Sequence, residues 1–167
     1  MCLIEYDDIK ELLQLDVTDR EFDELCLKAA WQEVEKIIGY CISRKECSEI
    51  VTVRDNRVIL DCIFIEEIAA ITDLTSKNEI ENFTVDYENK AVYFVPAKVD
   101  GHAVLVRYTA GYTKENLPAD IKVCLIKLFL YKQKSMRKMM NDEEAATDEK
   151  LLYETKAMLH HYSRKSL

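Results

Sequence analysis

The sequence predicts an α+β fold, predominantly helical, with a small antiparallel sheet of about five strands set between helices. Three observations predict it. Apolar residues recur at helical spacing over residues 22–38 and 121–131; they alternate with a period of two through the middle of the chain; and glycine or proline stands where one pattern gives way to the other. The 167 residues suffice for one well-filled domain. An apolar share of 49 % beside a charged share of 32 % belongs to a folded, soluble chain rather than a disordered one.

The first element is short. Asp7 or Asp8 can cap a helix that buries Ile9, Leu12 and Leu13, and Asp16-Val17 breaks it. Thr18-Asp19-Arg20-Glu21 then reads as a capping box in which Thr18 and Glu21 satisfy each other's end donors. Phe22, Leu25, Cys26, Ala29, Ala30, Val34, Ile37 and Ile38 form the stripe of a second helix that stops at Gly39. Trp31 lies off that stripe and is left to cover a second contact or a neighbour.

The period then changes. Glu49–Arg54 and Arg57–Asp61 flank Asp55-Asn56, an acceptable two-residue hairpin loop. Ile63–Leu74 holds enough Ile, Phe and Ala for a strand, with Glu66-Glu67 as a bulge or turn, and Thr75–Asn78 is a loop. Phe83, Val85 and Tyr87 alternate, Glu88-Asn89-Lys90 turns the chain, and Ala91–Val95 returns it until Pro96 ends the strand. After a turn at Val99–Gly101, the last strand covers Ala103–Thr109.

A long helix follows from Pro118 to about Met140. Ile121, Cys124, Leu125, Leu128 and Phe129 make one core stripe; Val123, Ile126, Leu130 and Tyr131 make a second. A helix apolar nearly all round is buried on several sides, so this one is either purely central or central with one face shared in an oligomer. Residues 141–148 are acidic and polar. Thr147 or Asp148 can then cap a terminal amphipathic helix carrying Leu151, Leu152, Thr155, Met158, Leu159 and Tyr162, which suits docking on a partner or folding back. The expected organisation is a single domain over 1–140 with a β-rich insert at about 49–109, then an acidic link and helical arm over 141–167.

The net charge of −8 hides an asymmetry. Residues 1–111 carry 12 Lys/Arg against 23 Asp/Glu, residues 112–141 carry 7 against 2, and the last 26 carry 4 against 6. An acidic body beside a basic helix favours head-to-tail contact between copies, although lysines on the wet face of a long helix give the same count. Lys122, Lys127, Lys132, Lys134, Arg137 and Lys138 are placed to touch phosphates, but a pI near 5.0 and the lack of a DNA-reading motif argue against sequence-specific recognition.

Catalysis asks for convergent groups, and the sequence assembles none. The three glycines, at 39, 101 and 111, make no phosphate-cradling loop, and there is no nucleophile elbow. His160-His161 are adjacent, about 100° apart on a helix, and cannot chelate one metal as an i, i+4 pair does. The six cysteines form no CxxC pair and read as reduced structural thiols. No catalytic, cofactor-binding or metal-binding residue is assigned. No apolar run approaches the roughly 20 residues that cross a bilayer, and Glu5, Asp7 and Asp8 follow Cys2-Leu3-Ile4 at once, so neither a membrane span nor a secretory signal is expected.

One stretch carries more than the rest. In VLVRYTAGYTKENLPADIKVCLIKLFLYKQKSMRK, from Val104 to Lys138, a strand exits at Gly111 and a helix opens at Pro118 and Asp120. With the helix pair before it, this Tyr108–Gly111 corner and Leu117–Ile121 start resemble the head–tail connector (adaptor, head-completion) proteins of tailed bacteriophages, over roughly residues 3–140. The resemblance implies a structural virion protein, made in the bacterial cytoplasm, that joins head to tail. It also implies assembly as a ring under the portal after DNA packaging, extending the portal channel, with no enzymatic activity and no cofactor. Its partners would be the portal protein, neighbouring copies, a downstream head-completion or tail protein, and the genomic DNA in passing, with no membrane. Function would then lie in surfaces. By placement, the interface residues are Tyr131, Lys134, Arg137 and Lys138 on the long helix and Leu152, Leu159 and Tyr162 on the terminal one. The alternatives are a DNA-binding or regulatory module using helix 118–140, and, behind it, a hydrolase with an unrecognised site.

Overall fold

A computed structural model describes residues 2–14, 19–95, 99–141 and 149–163. It contains helices α1 (Tyr6–Leu13), α2 (Arg20–Ile38), α3 (Ala119–Met140) and α4 (Glu149–Leu159), the last running into a 3-10 turn at His160–Tyr162. The strands are β1 (Lys45–Thr52), β2 (Arg57–Ile59), β3 (Ile65–Asp73), β4 (Phe83–Asp86), β5 (Ala91–Phe94) and β6 (Ala103–Ala110). The chain forms two compact units: residues 1–40 with 113–167, which hold the helices, and residues 41–112, which hold the strands.

This corrects the expectation of a predominantly helical fold with one sheet of about five strands. The described residues are 42 % helical and 27 % strand, and the six strands divide into two antiparallel three-stranded sheets, β1-β6-β3 and β2-β5-β4. The reason lies at Asp55-Asn56. Both residues take positive φ (52° and 59°), as a tight two-residue hairpin loop requires. Yet β1 and β2 share only the closing pair, where Arg54 and Arg57 exchange two backbone hydrogen bonds of 3.0 Å. Val53 N–H already donates to His102 O (2.9 Å), so β1 stays on β6 while β2 departs to β5. Alternation identifies strands but is indifferent to which sheet they join. The two-sheet solution gathers Val58, Val92 and Phe94 with Ile65, Ile71, Val104 and Val106 in one buried cluster.

Within the β unit, β3 shifts register against β6 twice, at Glu66, between the pairs Ile65↔Ala110 and Glu67↔Thr109, and at Ala69, between Ile68↔Tyr108 and Ala70↔Arg107. The loop after β3 is tied to the buried Asp73, whose carboxylate accepts the Ser76 hydroxyl (2.7 Å) and Thr75 N–H (2.9 Å) and lies 3.1 Å from His102 Nδ1. These bonds, Ser76 first, hold its pKa at about 2 against an ordinary 3.8. A depressed carboxylate stabilises the fold above its unfolded pKa and loses that contribution as pH falls through the folded one. The β unit is therefore expected to lose stability between pH 3.8 and about 2, and Asp73→Asn to flatten that stretch of an acid-unfolding curve. Identical curves for the two proteins would refute it.

In the helical unit, the Asp8 carboxylate accepts Glu5 N–H (2.9 Å), so α1 opens at Glu5 and buries Tyr6 and Ile9, leaving Leu12 65 % exposed. Thr18 lies outside the described residues; Asp19 caps α2 by accepting Phe22 N–H (3.1 Å). The buried face of α2 runs through Cys26, Leu27, Ala30, Trp31, Val34 and Ile38, rotated from the expected stripe so that Trp31 is inside and Leu25 outside. Gly39 closes it at φ +80°.

Helix α3 takes both neighbours antiparallel. Cys26 meets Met136 (Sγ–Sδ 3.6 Å) and Glu33 meets Lys132 (3.9 Å) on the α2 side; Cys124 meets Met158 (3.9 Å) and Lys127 meets Glu154 (3.9 Å) on the α4 side. Position numbers rise on one helix as they fall on the other. The first stripe, Ile121, Cys124, Leu125, Leu128 and Phe129, is buried as read. Of the second, Ile126 and Tyr131 are half-buried, and Val123 and Leu130 remain 41 % exposed.

Candidate assembly surfaces

Helical geometry places Val123, Leu130 and Lys134 at i, i+7 and i+11, one exposed line along α3. The line is apolar toward the start of the helix and cationic toward its end, where Lys138 joins it. Lys134 and Arg137 are exposed; Tyr131 and Lys138 are half-buried.

Arg137 is held in place on its own unit. Its guanidinium stacks over the Phe22 ring (5.5 Å to the centroid) and lies 3.9 Å from the Asp23 carboxylate. Asp23 is only 1 % exposed and also accepts the Tyr6 hydroxyl (3.0 Å) and the Gln133 side-chain amide (2.6 Å). Burial, then this carboxylate, raises the Tyr6 phenol above its ordinary pKa. One buried anion thus ties α1, α2 and α3 together. Sequence reasoning missed it because an aspartate in the first turn of a helix reads as a dipole partner. The signal was present in the spacing: Asp23 stands three and four residues before Cys26 and Leu27, in line with the buried face.

The terminal-helix positions divide. Leu159 is fully buried against its own unit, and Leu152 and Tyr162 are half-buried. Burial, then the nearby Asp120 at the start of α3, raises the Tyr162 phenol. The structure therefore leaves Lys134 exposed with Lys138 half-buried beside it, turns Arg137 onto α2, and sets Leu159 in the core.

A second defined geometry is the corner after β6. Gly111 takes φ +99° and donates its N–H to Phe64 O (3.0 Å); Tyr112 N–H donates to Ile42 O (2.8 Å), and its ring stacks on Phe64 at 5.1 Å. All six cysteines are free thiols; burial pushes Cys62 up to about 12 and Cys26 to about 11, which keeps both protonated at neutral pH. Among the described residues no three His, Cys, Asp or Glu side chains gather as a metal site would need.

The chain is similar in fold to three solved structures. One is the neck of the native GTA particle computed with C12 symmetry (TM-score 0.61, 12 % identity, 96 % of this chain and 88 % of that one). Another is the neck of the empty GTA particle computed with C6 symmetry (0.62, 12 %, 99 % and 91 %). The third is the virion of the native gene transfer agent particle (0.61, 14 %, 99 % and 91 %). No curated protein matches it. The sequence profile of the family described as "Head completion protein" matches residues 2–160, from ahead of α1 to just past the end of α4 and so across both units. The chain belongs to the head completion protein family, structural proteins of the head–tail junction in phage-type particles.

Proposed function

We propose that this protein joins the head of a phage particle, at its portal, to the tail, assembling as a ring that extends the portal channel after DNA is packaged. The observation that carries the reading is the family match over residues 2–160. The fold similarity to chains from particle necks computed with C12 and C6 symmetry supports the ring. The protein works through surfaces, without catalysis or a cofactor, and resides at the head–tail junction after synthesis in the bacterial cytoplasm. Its neighbours are the portal, further copies of itself and the next head-completion or tail protein. The exposed line of α3 through Lys134 is the first candidate contact, with Tyr131 and Lys138 around it, and Leu152 on α4 with Tyr162 in the turn after it is a second.

The DNA-binding alternative loses ground on the same helix. Lys127, Lys132 and Arg137 already face Glu154, Glu33 and Asp23 within the unit. Contact with DNA in the channel then reduces to a few remaining cations and is weak and non-specific.

Deleting the gene is expected to yield separate heads and free tails by electron microscopy, with normal infectious particles refuting the reading. Complementing the deletion with Lys134→Glu and Lys138→Glu is expected to restore far fewer joined particles than the wild-type gene, with thermal stability unchanged. Full restoration would remove the end of α3 from the interface.

A further inference from the structure

The tip of the β1–β2 hairpin carries an arrangement that the fold does not use. Arg54 and Arg57 are the closing pair of the two-residue loop, so their side chains leave the same face of the ribbon, directly opposite each other. Both are exposed, and neither guanidinium has a hydrogen-bond or ion-pair partner among the described residues. Like charges placed opposite each other cost stability, and among the described residues no carboxylate is ion-paired to either arginine.

We infer that this arginine pair is a subunit–subunit contact: it docks on the acidic surface of α1 and α2 in a second copy. The inference rests on the ring reading above and names its contact. Three observations favour this occupant. The chain is acidic where the pair would need it to be, with exposed Glu5, Asp7, Glu11, Glu21 and Glu24 on or beside α1 and α2. Of these, Asp7 and Glu24 already hold Arg20 (3.1 and 2.7 Å) and Glu5 belongs to the capping box of α1, which leaves Glu11 and Glu21 for an incoming guanidinium. The tip itself is close to neutral overall, because Asp55 lies within the loop and the Asp100 carboxylate accepts Asn56 N–H (3.3 Å). A near-neutral tip is poorly suited to a polyanion such as DNA and well suited to discrete carboxylates, to which arginine binds through two parallel hydrogen bonds. A tip that meets a different surface on the next copy makes a head-to-tail contact, the kind that closes into rings.

The test is the self-association of the full chain, followed by sedimentation and native mass spectrometry across a concentration series. Arg54→Glu with Arg57→Glu is expected to weaken association by about tenfold or more, as is Glu11→Arg with Glu21→Arg, and mixing the two reversed proteins to restore it. Arg54→Gln with Arg57→Gln, a milder change at exposed positions, should fall between. Wild-type association in the arginine-reversed protein would overturn the contact while leaving the ring reading intact. Loss in both reversed proteins without recovery on mixing would overturn the pairing of these two surfaces. Salt-dependent duplex binding that disappears with the arginines would assign the tip to DNA instead. A wild-type chain that associates neither alone nor on tailless heads would sink the ring reading itself.

Discussion

Gly111→Ala is expected to destabilise the β unit by about 3 kcal/mol or more, against about 1 kcal/mol for Gly101→Ala. Both glycines have positive φ, +99° and +80°, so both substitutions strain the backbone. Only one also collides. A Cβ at 111 would stand 2.6 Å from Ser43 O, 2.8 Å from Ser43 C and 2.9 Å from Ile42 O, whereas nothing lies within 4 Å of a Cβ at 101. The obstructing atoms are backbone and have little room to yield. Ile42 O accepts Tyr112 N–H (2.8 Å), and Arg44 N–H donates to Tyr112 O (2.9 Å), so pushing residues 42–43 aside breaks the bridge that closes the corner. Thermal unfolding followed by near-UV circular dichroism should show a drop in Tm on the order of 10 °C for Gly111→Ala and a few degrees for Gly101→Ala. Equal drops would mean that backbone strain alone sets the cost and that the close approach is unimportant.

That corner was legible in the sequence because glycine is the residue that takes positive φ at a strand exit without a Cβ clash. So were the long helices, where periodic apolar residues run into Gly39 or out of Pro118. Strand pairing was not legible. Alternation in β4, β5 and β6 shows which face is buried, and it reads the same whichever neighbour each strand takes. The first half of β1, Lys45 to Ser48, is polar, and only its pairing with β6 makes it a strand. Leu12 and Leu25 fit their helical stripes yet lie outside, because α1 spans eight residues and turns Tyr6 and Ile9 inward, and α2 is rotated toward Leu27 and Trp31.

The candidate surface was legible in part for a related reason. Two apolar stripes on α3 signalled two contacts, and the structure fills one of them within the chain while Val123 and Leu130 stay exposed. The arm helix presents the opposite case. An amphipathic stripe behind an acidic link reads equally as a docking arm or a folded-back helix, and the sequence cannot weigh the contacts that decide; Leu159 and Thr155 are buried in the helical unit. Charge was the least legible quantity. Arg137 looks like any lysine-rich helix end until its partner Asp23, about two-thirds of the chain away, is known.

That partner sets the second large effect. Asp23→Ala is expected to cost the helical unit about 3 kcal/mol, because it leaves the Tyr6 hydroxyl and the Gln133 amide without their buried acceptor and Arg137 without its carboxylate. Asp23→Asn keeps the shape and should cost less, and Tyr6→Phe, which removes one hydrogen bond, about 1 kcal/mol. If the three partners share one anion, Tyr6→Phe and Asp23→Ala will be strongly non-additive in a double-mutant cycle. Trp31 is the single tryptophan and is buried in α2, so its fluorescence in a urea titration reports on this unit alone. The same titration separates two roles for Arg137. Arg137→Glu would set a second carboxylate against a buried one and should lower stability about as much as Asp23→Ala, so an assembly defect in that variant would originate in the fold. Lys134→Glu and Lys138→Glu touch no such partner and should leave the urea midpoint where it was. A stable Arg137→Glu protein that fails to join heads to tails would reverse this, placing Arg137 at the contact and making its hold on Asp23 dispensable.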